Sequence, residues 1–321
     1  MYNTYILCHT IQKMHDLGFT MELKTLRSFL AIAREGNVTA AAESLHVTQP
    51  TLSRQLATLE EELGTPLFLR GSRKLTLTEG GARFRKRAEE ILELVAKVQA
   101  EFRQPVDNVS GDIYIGSGET WVLGLVADTM RSMREEYPHV RFHIFSGDGD
   151  EVAERLNSGL LDFGIFIEPA SVAGYESLRL PAMDTWGVLT LRTSTLANKK
   201  SLKPEDLWNE PLIISKQKYM DSHISKWMRK DFTQLNIVGT YNLLYNASIM
   251  VRKGLGHALG IDRLVNTPGD TELCFRPFNP QLHVAIYFAW KKYQVFSQPA
   301  NLFLQRIIST FDVNHGNSPR E

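Results

Sequence analysis

The chain has 321 residues, of which 43% are hydrophobic, so it is long enough for two or three domains with sizeable cores. Its 36 basic and 36 acidic residues cancel, and the whole-chain charge therefore does not indicate a nucleic-acid partner. Two cysteines, Cys8 and Cys274, lack the spacing of a zinc site, and no apolar run approaches the roughly 20 residues that span a bilayer. These features argue against a zinc or membrane protein and fit a reducing, cytoplasmic setting.

Residues 1–20 have neither helical periodicity nor the charged start and long apolar centre of a signal peptide. We expect an extension that is either disordered or not translated, and we do not expect export. The alternative is an additional helix that packs on the following domain.

The charged residues are unevenly distributed along the chain. Between residues 21 and 87, eleven basic residues stand against seven acidic ones, a surplus of four. The rest of the chain must therefore carry an acidic excess of four. This asymmetry predicts a head that binds a polyanion and a neutral to acidic body.

A winged helix-turn-helix is predicted for residues 21–81. The segment ELKTLRSFLAIAREG has helical apolar spacing and stops at Gly36, which predicts a first helix. The segment TAAAESLHV predicts a short second helix with Thr39 as its N-cap and a tight turn at His46 and Val47. Two short helices joined in this way form a helix-turn-helix unit, whose second helix enters the DNA major groove.

The second helix of that unit, QPTLSRQLATLEEEL, has two contrasting faces. Thr48 is its predicted N-cap, and Pro50 lies in the first turn, where the missing N–H costs no hydrogen bond. One face is apolar and predicted to be buried: Leu52, Leu56, Leu59 and Leu63. The opposite face has short, mostly polar side chains that would let a partner molecule come close: Pro50, Ser53, Arg54 and Ala57.

Two further segments complete this region. In TPLFLRGSRKLTLTEGG, strand-forming runs flank a basic tip with Arg70, Arg73 and Lys74, which predicts a β-hairpin wing. Residues 82–105 predict a helix whose apolar positions alternate in steps of four and three, as in a coiled-coil seam. The predicted dimerisation residues are Phe84, Ala88, Ile91, Val95, Val98 and Phe102. The alternative is a long helix that packs on its own chain.

Alternating strands and helices occupy residues 109–312, after a polar linker that begins at Pro105. This order predicts parallel sheets covered by helices, in two α/β lobes with a ligand cleft at the carboxyl ends of strands. We assign residues of about 109–178 and 294–312 to lobe I, about 179–293 to lobe II, and 313–321 to a tail.

These motifs resemble the LysR-type transcriptional regulators. The run AAESLHVTQPTLSRQL, followed by LGTPLFLR and LTLTEG, is similar nearly position for position to the family's winged helix-turn-helix. The phrases DLWNEPLII and GLGHALG extend the resemblance into the lobes, which in this family are similar in fold to periplasmic binding proteins. The family often has a proline shortly after the GLG turn, where this chain continues GIDRLV. That departure bears on the ligand rather than on DNA binding.

The resemblance implies an α/β protein with an N-terminal winged helix-turn-helix, a long dimerisation helix and a two-lobed α/β effector domain. It implies a cytoplasmic transcriptional regulator with no enzymatic activity, no cofactor and no metal. The implied partners are double-stranded promoter DNA, a small-molecule effector, RNA polymerase and further copies in a homodimer or homotetramer, with no membrane partner. The alternative is a substrate-binding protein of a transport system or another ligand-binding α/β protein.

The resemblance also assigns DNA contacts. Arginine can grip guanine O6 and N7, glutamine can pair with adenine, and Pro50 and Thr51 offer apolar contact to a thymine methyl group. The wing residues would lie near the DNA backbone or minor groove and contribute affinity more than sequence preference. For Arg54 and Lys74 the alternative is a solvated side chain on the surface. The implied DNA-binding residues are Thr39, Thr48, Gln49, Pro50, Thr51, Ser53, Arg54, Arg70, Arg73 and Lys74.

The predicted effector site lies in the turns that follow the strands. Its candidate residues are Ser117, Gly118, Glu119, Thr120, Trp121, Gly147, Asp148, Glu168, Ser215 and Asn246. The Thr120 hydroxyl is expected to point into the gap between the lobes. Glu119, Asp148 and Glu168 would repel an anion, which predicts a neutral or cationic ligand unless each acid caps a helix or faces water. A further alternative is that the cleft holds no small molecule.

No constellation in the sequence indicates catalysis. GSGET at residues 116–120 lacks the spacing of a phosphate-binding loop, and Ser117 and Ser215 lack a partnered His/Asp pattern. His139 and His143 lie four apart on a predicted strand, too far from each other to share a metal ion.

Overall fold

The computed structural model describes residues 21–69, 74–102, 109–168, 170–216, 220–267, 269 and 272–311. The chain divides into two compact units, Met1–Gln99 and Ala100–Glu321. The predicted extension of residues 1–20, the wing tip at residues 70–73 and the tail of residues 313–321 lie outside the described residues.

The first unit combines helices with a two-stranded hairpin. Its elements are α1 (Leu23–Glu35), α2 (Val38–Ser44), α3 (Gln49–Leu63), β1 (Phe68–Leu69), β2 (Thr76–Leu77) and α4 (Glu79–Phe102), which continues past Gln99. The two strands pair antiparallel, with Phe68 opposite Leu77. The predicted helix-turn-helix, hairpin and long helix are confirmed as elements.

Left-handed residues set the helix ends in this unit. Gly36 and Gly64 follow α1 and α3 with φ of 64° and 63°, a conformation that glycine adopts without steric cost. His46 adopts φ of 55° in the turn between α2 and α3, at the predicted turn position. At each of these residues the chain leaves one helix and turns toward the next element.

The N-cap of α2 is Asn37, and the prediction of Thr39 was wrong. The Asn37 Oδ1 accepts the N–H of Thr39 at 2.7 Å and the N–H of Ala40 at 3.3 Å. Asparagine and threonine are both good N-caps, so residue type alone did not separate two candidates two positions apart. Thr48 does occupy the N-cap position of α3, but its side chain makes no cap hydrogen bond.

A single apolar core holds this unit together. Glu60 of α3 fixes the hairpin, since its Oε1 accepts the N–H of Leu67 at 2.7 Å and that of Phe68 at 3.2 Å. The Ser28 hydroxyl of α1 donates to Gln55 Oε1 at 2.9 Å and ties α1 to α3. The buried core residues include Leu26, Phe29, Ile32, Ala41, Leu52, Leu59, Leu67, Phe68 and Ala88.

The second unit is a two-lobed α/β domain. Its helices are α5 (Leu123–Glu136), α6 (Gly149–Asn157), α7 (Met220–Met228), α8 (Leu244–Arg252) and α9 (Gln298–Phe311). Its strands are β3 (Gly111–Ser117), β4 (Val140–Ser146), β5 (Phe163–Ile167), β6 (Tyr175–Leu191), β7 (Leu212–Ser215), β8 (Ile237–Tyr241), β9 (His257–Ile261), β10 (Leu273–Pro277) and β11 (His283–Lys291).

The strand order is β4-β3-β5-β11-β6-β9-β7-β8, with β10 paired to β6. In lobe I, β3 is parallel to β4 and β5, and in lobe II, β7 is parallel to β8 and β9. The parallel arrangement predicted for the βαβαβ runs is therefore confirmed. The junctions of β11 with β5 and β6, and of β6 with β9, are antiparallel.

Strand β6 belongs to both lobes. Its residues Tyr175–Thr185 pair with β11 beside the strands of lobe I, while Trp186–Leu191 pair with β9 and β10 in lobe II. Leu178, Leu180, Ile286 and Phe288 are consequently buried in the core of lobe I. β6 and β11 thus pass from one lobe to the other at about residues 185 and 283. Both positions lie inside the range of about 179–293 that the sequence assigned to lobe II.

Each lobe has its own core. In lobe I, helices α5 and α9 cover one face of the sheet, and the buried residues include Ile113, Ile115, Val126, Phe163, Phe288 and Phe303. In lobe II, the buried residues around α7 and α8 include Leu212, Ile224, Ala247, Val251, Leu259 and Phe278. Two independently packed lobes joined by β6 and β11 leave a cleft at the ends of their strands.

Candidate functional sites

The face of α3 opposite the core is polar and exposed. Leu52 and Leu59 are buried, whereas Gln49, Pro50, Thr51 and Arg54 are exposed on the other side. Within the described residues, the Arg54 guanidinium makes no hydrogen bond or ion pair. An exposed arginine without a protein partner can donate five N–H groups to an external acceptor.

Short side-chain contacts organise the rest of this face. The Gln49 Nε2 donates to the Ser53 hydroxyl at 2.8 Å, and the hydroxyls of Thr48 and Thr51 lie 2.8 Å apart. These contacts hold polar groups in a row along the first turns of α3. Lys24 and Thr25 of α1, which were not predicted from the sequence, line a groove of about 310 Å³ together with Thr51 and Arg54.

The remaining predicted DNA-binding residues lie outside α3. Thr39 is exposed in the first turn of α2. Lys74 is exposed beside β2, with its side chain against Gly36. Arg70 and Arg73 lie outside the described residues.

The predicted seam on α4 divides into two parts. Ala88 is fully buried, and the Phe84 ring packs edge-on against Phe29 with centroids 4.8 Å apart, so both belong to the core of the first unit. Ala88 therefore has no surface left for a partner, and its assignment to dimerisation was wrong, whereas Phe84 is only partly buried and its part in dimerisation stays a prediction. Val95 is half-buried, and the exposed apolar side chains farther along α4 are Ile91, Leu94, Val98 and Phe102.

A cavity of about 50 Å³ lies between the lobes of the second unit. Four of its lining residues are the last residues of strands, namely the carboxyl ends of β5, β7, β8 and β9. The lining consists of Glu119, Ile167, Trp186, Ser215, Tyr241, Asn242, Leu244, Ile261 and Leu264. Most of this surface is apolar or aromatic, with a few polar groups, as is usual for small-molecule sites.

Glu119 connects the two lobes across this cavity. It follows β3 in lobe I, and its carboxylate accepts the backbone N–H groups of Leu244 and Tyr245 at the first turn of α8 in lobe II. Burial raises the pKa of the Glu119 carboxyl above its ordinary value, although these two N–H groups act in the opposite direction. The carboxylate is thus placed at the positive end of a helix dipole.

Of the ten predicted cleft residues, the structure brings only Glu119 and Ser215 to the cavity. Asp148 caps α6 instead, in a capping box with Glu151, and Glu168 accepts the N–H of Ala285 on β11. Asp148 therefore caps a helix, as the alternative allowed, and Glu168 is an exposed side chain that bonds a strand. The others that do not line the cavity are Ser117, Gly118, Thr120, Trp121, Gly147 and Asn246.

The predicted orientation of Thr120 was wrong. Its side chain is buried, and its hydroxyl oxygen accepts the N–H of Val122 at 3.0 Å, which caps the turn that leads into α5. Glu119, one residue earlier, occupies the gap instead. Both residues lie in the turn after β3, and the sequence did not determine which of the two faces the cleft.

Several cavity residues were missed because the prediction favoured polar turn residues. Ile167, Tyr241 and Ile261 end three strands and are apolar or aromatic, and Trp186 lies where β6 crosses between lobes. The rule that ligands bind at the carboxyl ends of strands would have identified the first three if it had been applied to every strand.

A second buried polar cluster lies where β6 crosses between the lobes. Asp184 is fully buried, and its carboxylate makes no well-formed hydrogen bond with the described residues, although the Thr120 hydroxyl lies close enough to act on its pKa. Burial raises the pKa of Asp184 to about 7; the nearby Asp262 acts in the same direction, and the Thr120 hydroxyl and Arg263 oppose it. Arg263 itself stacks over Trp121, with its guanidinium carbon 4.4 Å from the ring centroid.

No group of three or more His, Cys, Asp or Glu side chains within the described residues is arranged to hold a metal ion. None of the described helices combines the length and the apolar content needed to cross a membrane.

The winged helix-turn-helix with its exposed α3, and the two-lobed α/β domain with its cavity, define a DNA-binding regulator with a ligand-binding domain. Residues 23–82 match the family described as bacterial regulatory helix-turn-helix protein, lysR family. Residues 107–312 match the family described as LysR substrate binding domain. The chain belongs to the LysR family of transcriptional regulators.

Individual relatives agree with this assignment. The HTH-type transcriptional regulator YybE of Bacillus subtilis is 29% identical over 91% of this chain and 99% of its own length. BsdA of the same organism, also an HTH-type transcriptional regulator, is 38% identical over 45% of this chain and 50% of its own. Full-length CbnR, solved in complex with its target DNA, has a TM-score of 0.67 over 91% of this chain and 99% of its own. Its identity of 22% shows the shared fold alone.

Proposed function

We propose that this chain binds promoter DNA through the exposed face of α3 and adjusts transcription when a small molecule occupies the cavity between its lobes. The observation that carries the proposal is Arg54, an exposed guanidinium opposite a buried apolar face, with no partner in the described residues. Gln49, Thr51 and Ser53 surround it with the donors and acceptors that read base edges. CbnR was solved on its target DNA, which supports the same role for this fold.

The cavity supports binding rather than catalysis. The Tyr241 hydroxyl donates to the Leu259 carbonyl oxygen at 2.6 Å, and the Glu119 carboxylate accepts N–H groups of α8. Two of its polar groups are thus engaged in holding the fold. We propose that the chain acts without enzymatic activity, in the cytoplasm where its DNA and RNA polymerase are found.

We propose that the protein assembles as a homodimer or homotetramer through the second half of α4. Ile91, Leu94 and Val98 recur at helical spacing and are each about two-fifths exposed, at 41%, 38% and 45%. An apolar stripe of this kind on a helix favours association with a second helix.

Replacing Arg54 with alanine tests the DNA-reading role. We expect Arg54→Ala to weaken binding to a selected DNA site by about 1 to 3 kcal/mol per half-site, because a contact to a base edge is lost. Binding to random duplex DNA should change less. Titration of both DNAs at one fixed salt concentration measures the difference. Equal weakening on both DNAs would make Arg54 a phosphate contact and refute the assignment.

Lys74→Ala is the matched control for this experiment. A wing lysine that meets a phosphate contributes charge but no sequence preference. We expect the slope of log affinity against log salt to become shallower by roughly one unit, with the preferred sequence unchanged. A changed base preference in Lys74→Ala would assign sequence recognition to the wing.

A further inference from the structure

We propose that the cavity between the lobes binds a small organic cation, an ammonium group on a compact apolar body, with Glu119 as its charged partner. The inference rests on the proposed function, since it names the chemical class of the effector of that site.

The charge of the cavity lining favours a cation. Glu119 is its one ionisable carboxyl group, and none of its nine described lining residues is a lysine, arginine or histidine. Glu119 also forms no salt bridge with any residue in the described part of the chain. An anionic ligand would therefore meet a carboxylate with no compensating positive side chain, whereas a cation would supply the missing partner.

The Glu119 carboxylate can accept more hydrogen bonds than the two N–H groups supply. An ionised carboxyl group offers about four lone-pair sites on two oxygens. The N–H groups of Leu244 and Tyr245 use part of that capacity. The remainder is available to an ammonium group in the cavity. Burial outweighs both N–H groups in its effect on the pKa of this carboxyl, so the protein alone does not fully compensate its charge.

The size and surface of the cavity also fit a compact cation. A volume of about 50 Å³ holds a group of roughly three to five non-hydrogen atoms, since a single water needs about 10 to 15 Å³ by the same measure. Ile167, Ile261 and Leu264 offer aliphatic contacts, and Trp186 and Tyr241 offer aromatic surfaces that favour cations. These features fit a short branched amine better than a polyhydroxylated or strongly anionic compound.

A ligand held in this way also bears on regulation. Glu119 already links lobe I to α8 of lobe II. A cation that contacts Glu119 and the lobe II side of the cavity would bind most tightly when the lobes are together. Only such a difference in affinity between two arrangements can shift the equilibrium of the protein.

Three probes with the same branched four-carbon skeleton and different charge test the proposal: isobutylammonium, isobutanol and isobutyrate. Calorimetry with the full chain at neutral pH is expected to show saturable, millimolar binding of isobutylammonium, at least tenfold tighter than either other probe. Isobutanol or isobutyrate binding as tightly as the ammonium ion would overturn the proposal. A lack of saturation by isobutylammonium at several tens of millimolar would overturn it as well.

Glu119→Gln separates the carboxylate from the shape of the cavity. We expect it to weaken isobutylammonium binding about tenfold and to leave the weak binding of isobutanol unchanged, which reports an intact cavity. Glu168→Gln is the matched control, because Glu168 also follows a strand of lobe I but does not line the cavity; its ammonium affinity should equal that of the wild type. Unchanged ammonium binding in Glu119→Gln would refute the role of Glu119.

These outcomes are distinguishable from a failure of the proposed function. If the wild type binds DNA selectively but shows no preference for the charged probe, only the proposed cationic ligand is refuted. If the wild type does not bind DNA selectively, the proposed function is refuted, whatever the three probes show.

Discussion

Asp184→Asn is expected to stabilise the second unit at alkaline pH and to leave its stability nearly unchanged near pH 4. Asp184 is fully buried and makes no well-formed hydrogen bond with the described residues, and burial raises the pKa of its carboxyl to about 7 although the Thr120 hydroxyl opposes the shift. The folded state therefore holds a proton that the unfolded state releases from about pH 3.8 upward. The stability contributed by that proton is lost as the pH rises through about 7.

The variant cannot titrate, so its advantage over the wild type should grow with pH. The pKa of Asp184 rises from 3.8 to about 7. The free energy of unfolding of the variant, relative to that of the wild type, should therefore increase by roughly 3 kcal/mol between pH 5 and pH 8. Thermal or urea unfolding of both proteins across this range measures it. Asp128→Asn, at an exposed aspartate of α5, is the control and should show no comparable trend. A constant difference between Asp184→Asn and the wild type at every pH would contradict the buried, protonated carboxyl.

Val98→Asp is expected to separate the proposed dimer. Val98 is 45% exposed in the single chain and lies on the apolar stripe with Ile91 and Leu94. A carboxylate enclosed between two such helices would lack a partner, which costs several kcal/mol and favours dissociation. Light scattering at micromolar concentration should show a smaller assembly, and DNA affinity should fall steeply because two linked heads are lost.

Ala96→Asp is the matched control for Val98→Asp. Ala96 is exposed two residues away on the same helix, and two helical positions turn the side chain to nearly the opposite face. It adds the same charge to the same helix. The assembly should therefore remain intact in Ala96→Asp. Dissociation by both variants, or by neither, would show that the stripe does not form the interface.

The helical periodicity of the sequence predicted most of the fold, because apolar spacing and glycine positions are local signals. Leu52 and Leu59 are buried on α3 as predicted, and Gly36 and Gly64 end their helices. Much of β6 was not predicted, since residues 175–185 contain Pro181 and charged residues that break the strand pattern. That segment is strand because β11 pairs with it, which is a non-local cause.

The candidate sites were less predictable because they depend on which elements meet. Ala88 fits a seam by spacing, but the residues around it bury it completely within the first unit. Glu119 was identified as a cleft residue, whereas its contact with α8 depends on how lobe II faces lobe I. Asp184 gave no sequence signal at all, because nothing in an isolated aspartate indicates that it will be fully buried.

Selection of binding sites from a pool of random double-stranded DNA tests most directly whether α3 reads sequence. The full-length wild type is expected to enrich a motif with imperfect two-fold symmetry. Arg54→Ala is expected to lose the preference at a symmetry-related pair of positions within that motif while keeping the others. Failure of the wild type to enrich any motif, or enrichment of an identical motif by Arg54→Ala, would contradict base recognition by the exposed face of α3.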